Sequence, residues 1–366
     1  MTPLWNKFKF GVLGSLAGGS GYVALDIGST SIKMVETAID KNGYHVLNLG
    51  ILPLPSNAIK NNMIVEPGPI VDAIKRLIKD SGVKSKQVIS AVPGRAVIMK
   101  KFQMPKQESA ELENNIEFEA QNVIPENIDN VNLDYQVLSQ SGDGNRMEIL
   151  LVAVKKEIVN SYTDTISEAG LTPTLMDVDY FALENMFEAN YEADGIKGVT
   201  GLIHIGAENT SISLLQDGVS TFTGDLSTGG GYFSDRLSQH LNLSREQAES
   251  FKITGVSEKV VGVDLESALR PISEELAEEI RRTVSLYGAV PSDDNDGLKA
   301  IYLSGGGARL TGLRAMLEER MSVPVKLSEP FKVFNIGRKI DRNYLAENAP
   351  IYAVATGLSI RRPGDK

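Results

Sequence analysis

The first clear pattern is Tyr22-Val-Ala-Leu-Asp-Ile27, an apolar run of strand length broken only by Asp26. A small polar turn, Gly28-Ser-Thr-Ser31, follows it, and residues 32–38 read as a second strand. Asp40-Lys-Asn-Gly43 supplies the positive φ angles of a tight hairpin, which predicts a third strand over 44–54. Ile70, Val71, Ile74, Leu77 and Ile78 recur at helical spacing, so a helix is expected over 70–81 with Gly82 as its stop. Residues 88–92 read as a buried strand ending at Pro93-Gly94. The order β-β-β-α-β is that of a mixed α/β unit.

The pattern changes at Arg95. A strand over 96–104 leads to a helix over 107–123, with Leu112, Ile116, Ala120 and Val123 on one stripe. Strands over 133–139 and 147–154, joined by Ser141-Gly-Asp-Gly144, precede a second helix over 158–169 that Gly170 stops. We read 95–173 as a compact insertion, followed by a strand over 175–178 and a helix over 181–193. Then the opening pattern returns. Residues 201–215 form an apolar strand, the turn Gly206-Ala-Glu-Asn-Thr210 and another apolar strand. Asp217-Gly218 turns into a strand over 219–224, and a helix over 232–241 follows. A repeated β-β-β-α order predicts a duplicated, two-lobe α/β fold.

Residues 244–290 are mostly polar helix, in which Glu274, Glu275, Glu278 and Glu279 read as a solvated face. A strand over 300–304, the loop Gly305-Gly-Gly307, a helix over 310–321 and a short helix over 354–360 complete the chain. The expected organisation is a leader (1–20), the first lobe's core (21–94), the insertion (95–173) and a return to the first lobe (174–198). The second lobe's core (199–230), its upper subdomain (231–299) and its remaining core with the C-terminal helix (300–366) follow.

Composition narrows the chemistry. Asp and Glu total 47 against 37 Lys and Arg, a net charge of −10, which argues against non-specific nucleic-acid binding. The chain has no cysteine, so disulfides, thiolate zinc sites and a cysteine nucleophile are excluded. Its three histidines, His45, His204 and His240, are scattered. No apolar run approaches the roughly 20 residues of a membrane-spanning helix. Residues 1–20 hold Trp5, Phe8, Phe10, Val12, Leu13 and Leu16 with Lys7, Lys9 and no acid. Gly11, Gly14, Gly18 and Gly19 interrupt that segment as a signal peptide. It reads either as a basic-apolar tail that touches a membrane or a partner, or as a leader without a role.

Three glycine-rich turns follow strands: Gly28-Ser29-Thr30-Ser31, Gly206-Ala207-Glu208-Asn209-Thr210 and Gly305-Gly306-Gly307-Ala308. Successive backbone N–H groups in such turns converge on an anion, and small side chains leave room for it. The third turn is expected to open a helix, whose N-terminus adds partial positive charge. None matches a Walker A sequence or G-x-G-x-x-G after a first strand.

Asp26-Ile-Gly-Ser-Thr-Ser-Ile-Lys33 resembles the first phosphate motif of the actin-like ATPase superfamily. The second hairpin stands where the second phosphate motif belongs, and Leu303-Ser-Gly-Gly-Gly-Ala-Arg309-Leu310 resembles the adenosine motif. Gly229-Gly230 with Ala248-Glu249-Ser-Phe-Lys252 resembles the nucleotide-side segment of the FtsA and PilM families, where Glu and Lys lie beside ribose and base. Phe118-Glu-Ala-Gln-Asn-Val-Ile-Pro125, Leu133-Asp-Tyr-Gln-Val-Leu138 and Gly170-Leu-Thr-Pro-Thr-Leu-Met-Asp-Val-Asp-Tyr-Phe-Ala-Leu183 resemble the PilM family of type IV pilus assembly most.

That resemblance implies an actin-like, ribonuclease-H-like fold and a cleft for ATP and Mg²⁺. Ser29, Thr30 and Ser31 would contact phosphate, Lys33 would act as a point charge on it, and Asp26 would bind Mg²⁺ through water. It implies a PilN-like inner-membrane partner whose tail docks within about 95–171, other pilus components as further partners, homo-oligomers, and a role in pilus biogenesis and twitching motility. The location implied is the cytoplasmic face of the bacterial inner membrane. The sequence departs from the superfamily at the second hairpin, where His204 and Ala207 replace acidic residues. Nucleotide binding is therefore expected more than hydrolysis, and no catalytic residue is assigned. A small-metabolite kinase and an FtsA-like division filament are the alternatives. The first lacks its acidic base and the second its C-terminal amphipathic helix.

Overall fold

The computed structural model describes residues 21–55, 57–107, 109–140, 145–257, 259–288 and 297–365. The expected leader 1–20, the turn 141–144 and Val290 lie outside the described residues.

The opening pattern folds as the meander β1 (Tyr22–Ile27), β2 (Ser31–Asp40) and β3 (Gly43–Pro53). A small hairpin, β4 (Ile59–Lys60) and β5 (Met63–Ile64), leads to α1 (Pro67–Ser81). The helix buries Ile70, Val71, Ala73, Ile74 and Leu77, the stripe that the spacing predicts. Gly82 closes it at φ 70°, a left-handed conformation that a glycine adopts without strain. β6 (Gln87–Val92) then pairs parallel with β1.

The insertion comprises β7 (Val97–Pro105), α2 (Ser109–Val123), β8 (Val131–Gln140) and β9 (Arg146–Lys155). Its antiparallel sheet, in the order β7-β9-β8, has a core of its own built on Ile116, Ala120, Ile149 and Leu151. The insertion ends earlier than 173. α3 (Lys156–Glu168) buries Ile158, Tyr162 and Ile166 in the first lobe's core, among Ile74, Leu77 and Val88. Its apolar stripe faces the parent sheet, and no feature of the local sequence marks that choice.

β10 (Thr172–Val178) returns to the first sheet, and α4 (Asp179–Tyr191) follows. The second lobe consists of β11 (Val199–Ile205), β12 (Thr210–Gln216), β13 (Val219–Leu226), α5 (Gly230–Leu241), α6 (Arg245–Thr254) and α7 (Leu265–Leu286). β14 (Leu298–Ser304), α8 (Leu313–Met321) and β15 (Val325–Leu327) complete its sheet. That sheet runs β13-β12-β11-β14-β15. The first sheet runs β10-β6-β1-β2-β3, extended by β16 (Asn335–Ile336). Two antiparallel and two parallel pairings recur at equivalent positions, so the duplication read from the sequence is present strand for strand.

The assignment of 300–366 to the second lobe needs correction. β16 pairs with β3, and after α9 (Arg342–Asn348) the final helix α10 (Ala353–Ile360) packs on the first sheet. Val354 and Leu358 bury themselves against Ala24, Ile89 and Ala91. α4 does the reverse: Leu183, Met186, Phe187 and Tyr191 cover Leu202, Leu215 and Tyr302 of the second sheet. Each lobe thus lends a helix to the other. Both helices are apolar on more than one face, with every residue from Ala353 to Ser359 buried in α10, and such helices need cover on all sides. They cross where Gly357 meets the backbone of Ala182, at a separation that leaves no room for a Cβ.

The acids of α7 are held rather than merely solvated. Glu274 pairs with Arg270 and Arg320, Glu275 with Arg236, and Glu278 with Arg281, while Glu279 accepts from Thr228 at 2.8 Å.

Candidate functional site

The first hairpin is closed by a 3.1 Å hydrogen bond from the Gly28 amide to the Ser31 carbonyl. The second repeats it, Gly206 amide to Asn209 carbonyl, at 2.9 Å. Asp26 lies opposite Lys33 in the β1–β2 register, and His204 lies opposite Ser211 in β11–β12. The cation of the first hairpin therefore has a serine for its counterpart, and the carboxylate has an imidazole.

Lys33 Nζ stands 3.3 Å from Asp26 Oδ2, with both side chains 14% exposed. Asp26 Oδ2 is buried and accepts no hydrogen bond, so this pair is an ion contact with spare acceptor capacity. Gly28 lies beneath the ammonium, since a Cβ there would stand 3.0 Å from Nζ. Ser29 and Ser31 are half-buried and Thr30 is exposed.

The two hairpins face one another. Desolvation lowers the His204 pKa to about 4, while Asp26 raises it and Lys33 lowers it across the cleft. His204 is therefore neutral near pH 7, and its Nδ1 shares a 3.0 Å hydrogen bond with Ser304 Oγ. Glu208 is exposed, and its charge, with those of Asp179 and Asp26, raises the pKa of buried Tyr162, whose largest perturbation is desolvation.

The second hairpin is wedged between the other two expected segments. Gly229 packs so closely that a Cβ would lie 2.7 Å from the Ala207 carbonyl oxygen and the Asn209 amide. The Gly230 amide donates to the Gly206 carbonyl at 2.8 Å, and that of Gly231 to Ala207 at 2.7 Å. Lys252 Nζ ties Gly230, Ser234 and Glu249 together at 2.8, 2.9 and 2.7 Å. Burial pushes the Glu249 pKa up, but hydrogen bonds from Lys252 and Ser234 outweigh it and hold the group ionised. On the other flank, Gly305 (φ +84°) and Gly307 pack on Ile205, while Gly306 faces open space. This third turn is a short 3₁₀ segment (Gly306–Arg309), and α8 starts only at Leu313, so the expected helix N-terminus is not at the glycines. The left-handed Gly312 sets that later start. Exposed Arg309 donates to Asn348 at 2.9 Å.

Two carboxylates went unassigned from sequence. Asp179, at the start of α4, accepts from the Gly94 amide at 2.8 Å. Desolvation raises its pKa to about 7, with Asp225 and Asp26 adding to the rise. Asp225, at the end of β13, accepts from Asn209 (3.1 Å), Ser211 (2.9 Å) and Tyr180 of α4. The Tyr180 contact links the first lobe to the second hairpin. The usable signal was positional: each acid ends a strand or starts a helix at the cleft edge. Among the described residues no three His, Asp or Glu side chains are grouped closely enough to ligate one ion directly.

Paired hairpins between duplicated sheets, with a helix exchanged by each lobe, define an actin-like ATPase fold. MreB5 of Spiroplasma citri bound to AMPPNP shares it at a TM-score of 0.53 and 12% identity, over 94% of this chain and 96% of that one. Within this class, residues 24–363 match the family model of the type IV pilus assembly protein PilM, and the chain belongs to that family. A structure of the PilM–PilN type IV pilus biogenesis complex matches at a TM-score of 0.81 and 28% identity, covering 93% of this chain and 98% of that one. Cell division protein FtsA of Enterococcus hirae is 25% identical over 351 residues, 84% of this chain and 78% of that protein. Ethanolamine utilization protein EutJ of Salmonella typhimurium is 25% identical over 145 residues, and the match spans 47% of its length. Among the described residues no helix is long and apolar enough to cross a membrane.

Proposed function

We propose that this chain is an ATP-binding adaptor of type IV pilus assembly. It works at the cytoplasmic face of the inner membrane, where it docks the tail of a PilN-like membrane protein. The observation that carries the reading is the likeness to the PilM–PilN complex over 93% of the chain, insertion included. The tail would lie between the first lobe's core and the β7-β9-β8 sheet, whose Val97, Met99, Val152 and Val154 are only partly buried against that core.

The cleft residues fit a nucleotide. Ser29, Thr30 and Ser31, facing 206–210, would take phosphate oxygens, with Lys33 as the charge on them. Asp26 Oδ2, in ion contact with Lys33 but without a hydrogen-bond partner, fits a hydrated Mg²⁺, which is held through one or two carboxylates, water and substrate phosphates. Gly229, Gly230, Glu249, Lys252 and Gly305–Gly307 would flank the ribose and base. ATP bound between the lobes would bias their closure and so the groove beside them. His204, neutral and bonded to Ser304, is a poor ligand for a hard cation, and Ala207 has no polar group. The cleft therefore holds ATP better than it cuts it. A slow ATPase is the second reading, and Asp179 favours it, as a carboxyl of pKa about 7 that feels the Asp26 charge.

The test is binding of a labelled cytoplasmic-tail peptide from a candidate pilus membrane protein, with and without ATP. Tighter binding with ATP is expected, and failure to bind in both conditions sinks the adaptor reading. ATP-dependent sedimentation of long polymers would favour the FtsA-like alternative, and turnover of a sugar panel the kinase. Absence of single-turnover hydrolysis removes the second reading, and hydrolysis that survives Asp179→Asn removes Asp179 from it.

A further inference from the structure

β1, β6 and β10 run parallel and begin in one row, at Tyr22, Gln87 and Thr172. Their C-terminal ends carry the first hairpin and Asp179, so their N-terminal ends form the far side of the first lobe. At a strand rise of about 3.3 Å per residue, that side is roughly 17 Å from the hairpin. A surface pocket of about 380 Å³ opens there, between the end of α1 and the turn joining α3 to β10. Ile78, Val83, Ala169 and Leu171 form its apolar floor, and Lys75, Lys79, Lys84 and Lys86 rim it.

All four lysines are exposed, and among the described residues none takes part in an ion pair. The nearby Asp80 is engaged by Arg76 at 3.4 Å. Lys79 has a local explanation as a cation in the last turn of α1. Lys75, Lys84 and Lys86 have none. In a chain of net charge −10, four unpaired cations around one apolar depression are a local reversal of sign. The N-terminal segment enters at the same place: buried Ser85, in the pocket wall, donates its hydroxyl to the Gly21 carbonyl. The sequence before Gly21 holds Trp5, Phe8 and Phe10 with Lys7 and Lys9 and no acid, the composition of an interfacial segment.

We propose that this end of the first lobe is a docking face for an anionic lipid bilayer. The four lysines contact headgroup phosphates, the apolar depression sits at the acyl boundary, and the cleft points away from the membrane. The observations favour a bilayer over a soluble polyanion because the cations surround apolar side chains, and because the sequence that joins the lobe at Gly21 is aromatic and basic. The inference goes beyond tail docking and stands whether or not the cleft holds nucleotide.

The test is co-sedimentation of the full chain with vesicles of phosphatidylcholine alone or with 40 mol% phosphatidylglycerol, at low and high salt. Binding only to the anionic vesicles, reversed by salt, is expected. Each lysine near such a surface is worth about fivefold in partitioning, so a Lys75→Gln, Lys79→Gln, Lys84→Gln, Lys86→Gln variant should lose roughly 100- to 1,000-fold. It should keep the wild-type melting temperature and tail-peptide affinity. A Lys84→Glu, Lys86→Glu pair gives the same reading if the quadruple variant folds poorly. Removing residues 1–20 should weaken binding and leave the lysine dependence intact. Partitioning of the lysine variants within threefold of wild type overturns the proposal. Equal binding to neutral vesicles does so too, as does capture by inorganic polyphosphate without any vesicle binding.

Discussion

Gly28→Ala separates the phosphate role of the first hairpin from its structural one. The new Cβ would lie 3.0 Å from Lys33 Nζ and 3.3 Å from the Ser31 carbonyl oxygen. Gly28 is absent from the positive-φ glycines, so alanine meets no backbone penalty. The closer neighbour is the far end of a flexible side chain, which can swing away. Stability should change by less than about 1 kcal/mol, because reduced freedom of the unfolded chain offsets the contact. Displacing the ammonium is a different matter for a ligand. A hydrogen bond to a charged group contributes about 1.5–3 kcal/mol, so ATP affinity should fall about 10- to 100-fold. Calorimetric titration with Mg·ATP measures the affinity, and urea unfolding of the apo protein measures the stability. An unchanged affinity in a normally stable variant would refute Lys33 as the cation on the phosphates. A large loss of stability would refute the reading that the new Cβ meets only a side chain able to swing away.

Asp26→Ala should abolish ATP binding in the same titration, and equal affinity in that variant would sink the site assignment. His204 carries a native pKa near 4 against an ordinary 6.5. The folded state therefore binds its proton less readily than the unfolded one, and stability is lost as pH falls from about 6.5 to 4, by up to about 3 kcal/mol. Asp179 and Glu184, both raised to about 7 by desolvation, act with the opposite sign over the same range. The test is therefore the difference between wild type and His204→Gln, which should shrink toward pH 4; parallel pH profiles would contradict it. Gly357→Ala places a Cβ 1.7 Å from the Ala182 carbonyl oxygen at the crossing of α10 and α4. Backbone cannot swing aside, so a loss of about 2–4 kcal/mol is expected by chemical denaturation despite alanine's higher helix propensity. A neutral effect would show that the two helices slide freely.

Much of the cleft was legible because its parts are local. A glycine turn after an apolar strand is written in consecutive residues, and its recurrence at 206–210 exposed the duplication. Asp26 and Lys33 were singled out by resemblance to the first phosphate motif, and the β1–β2 register then brings them into contact at 3.3 Å. Asp179 and Asp225 were not legible: each stands alone in its own segment, and they converge on the hairpins only when α4 and β13 pack together. The helix N-terminus expected at Gly305 failed for a related reason. Its glycines are needed to pass under Ile205, so the chain makes a 3₁₀ turn there and begins α8 after Gly312.

Short-range periodicity by itself determined the longer strands, most helices, the three turns and the order of two similar halves, because a 2.0 or 3.6 repeat reports which side of an element is apolar; the short β4, β5, β15 and β16 carry too few residues to show a repeat. Periodicity reports nothing about which surface covers that side. Only the tertiary structure decided that α3 belongs to the first lobe's core, that α4 and α10 each cross to the other sheet, and that His204 looks across at Asp26. Burial is a property of pairs of surfaces, and the partner of an apolar face can lie more than 300 residues away, as Leu358 does from Ala24.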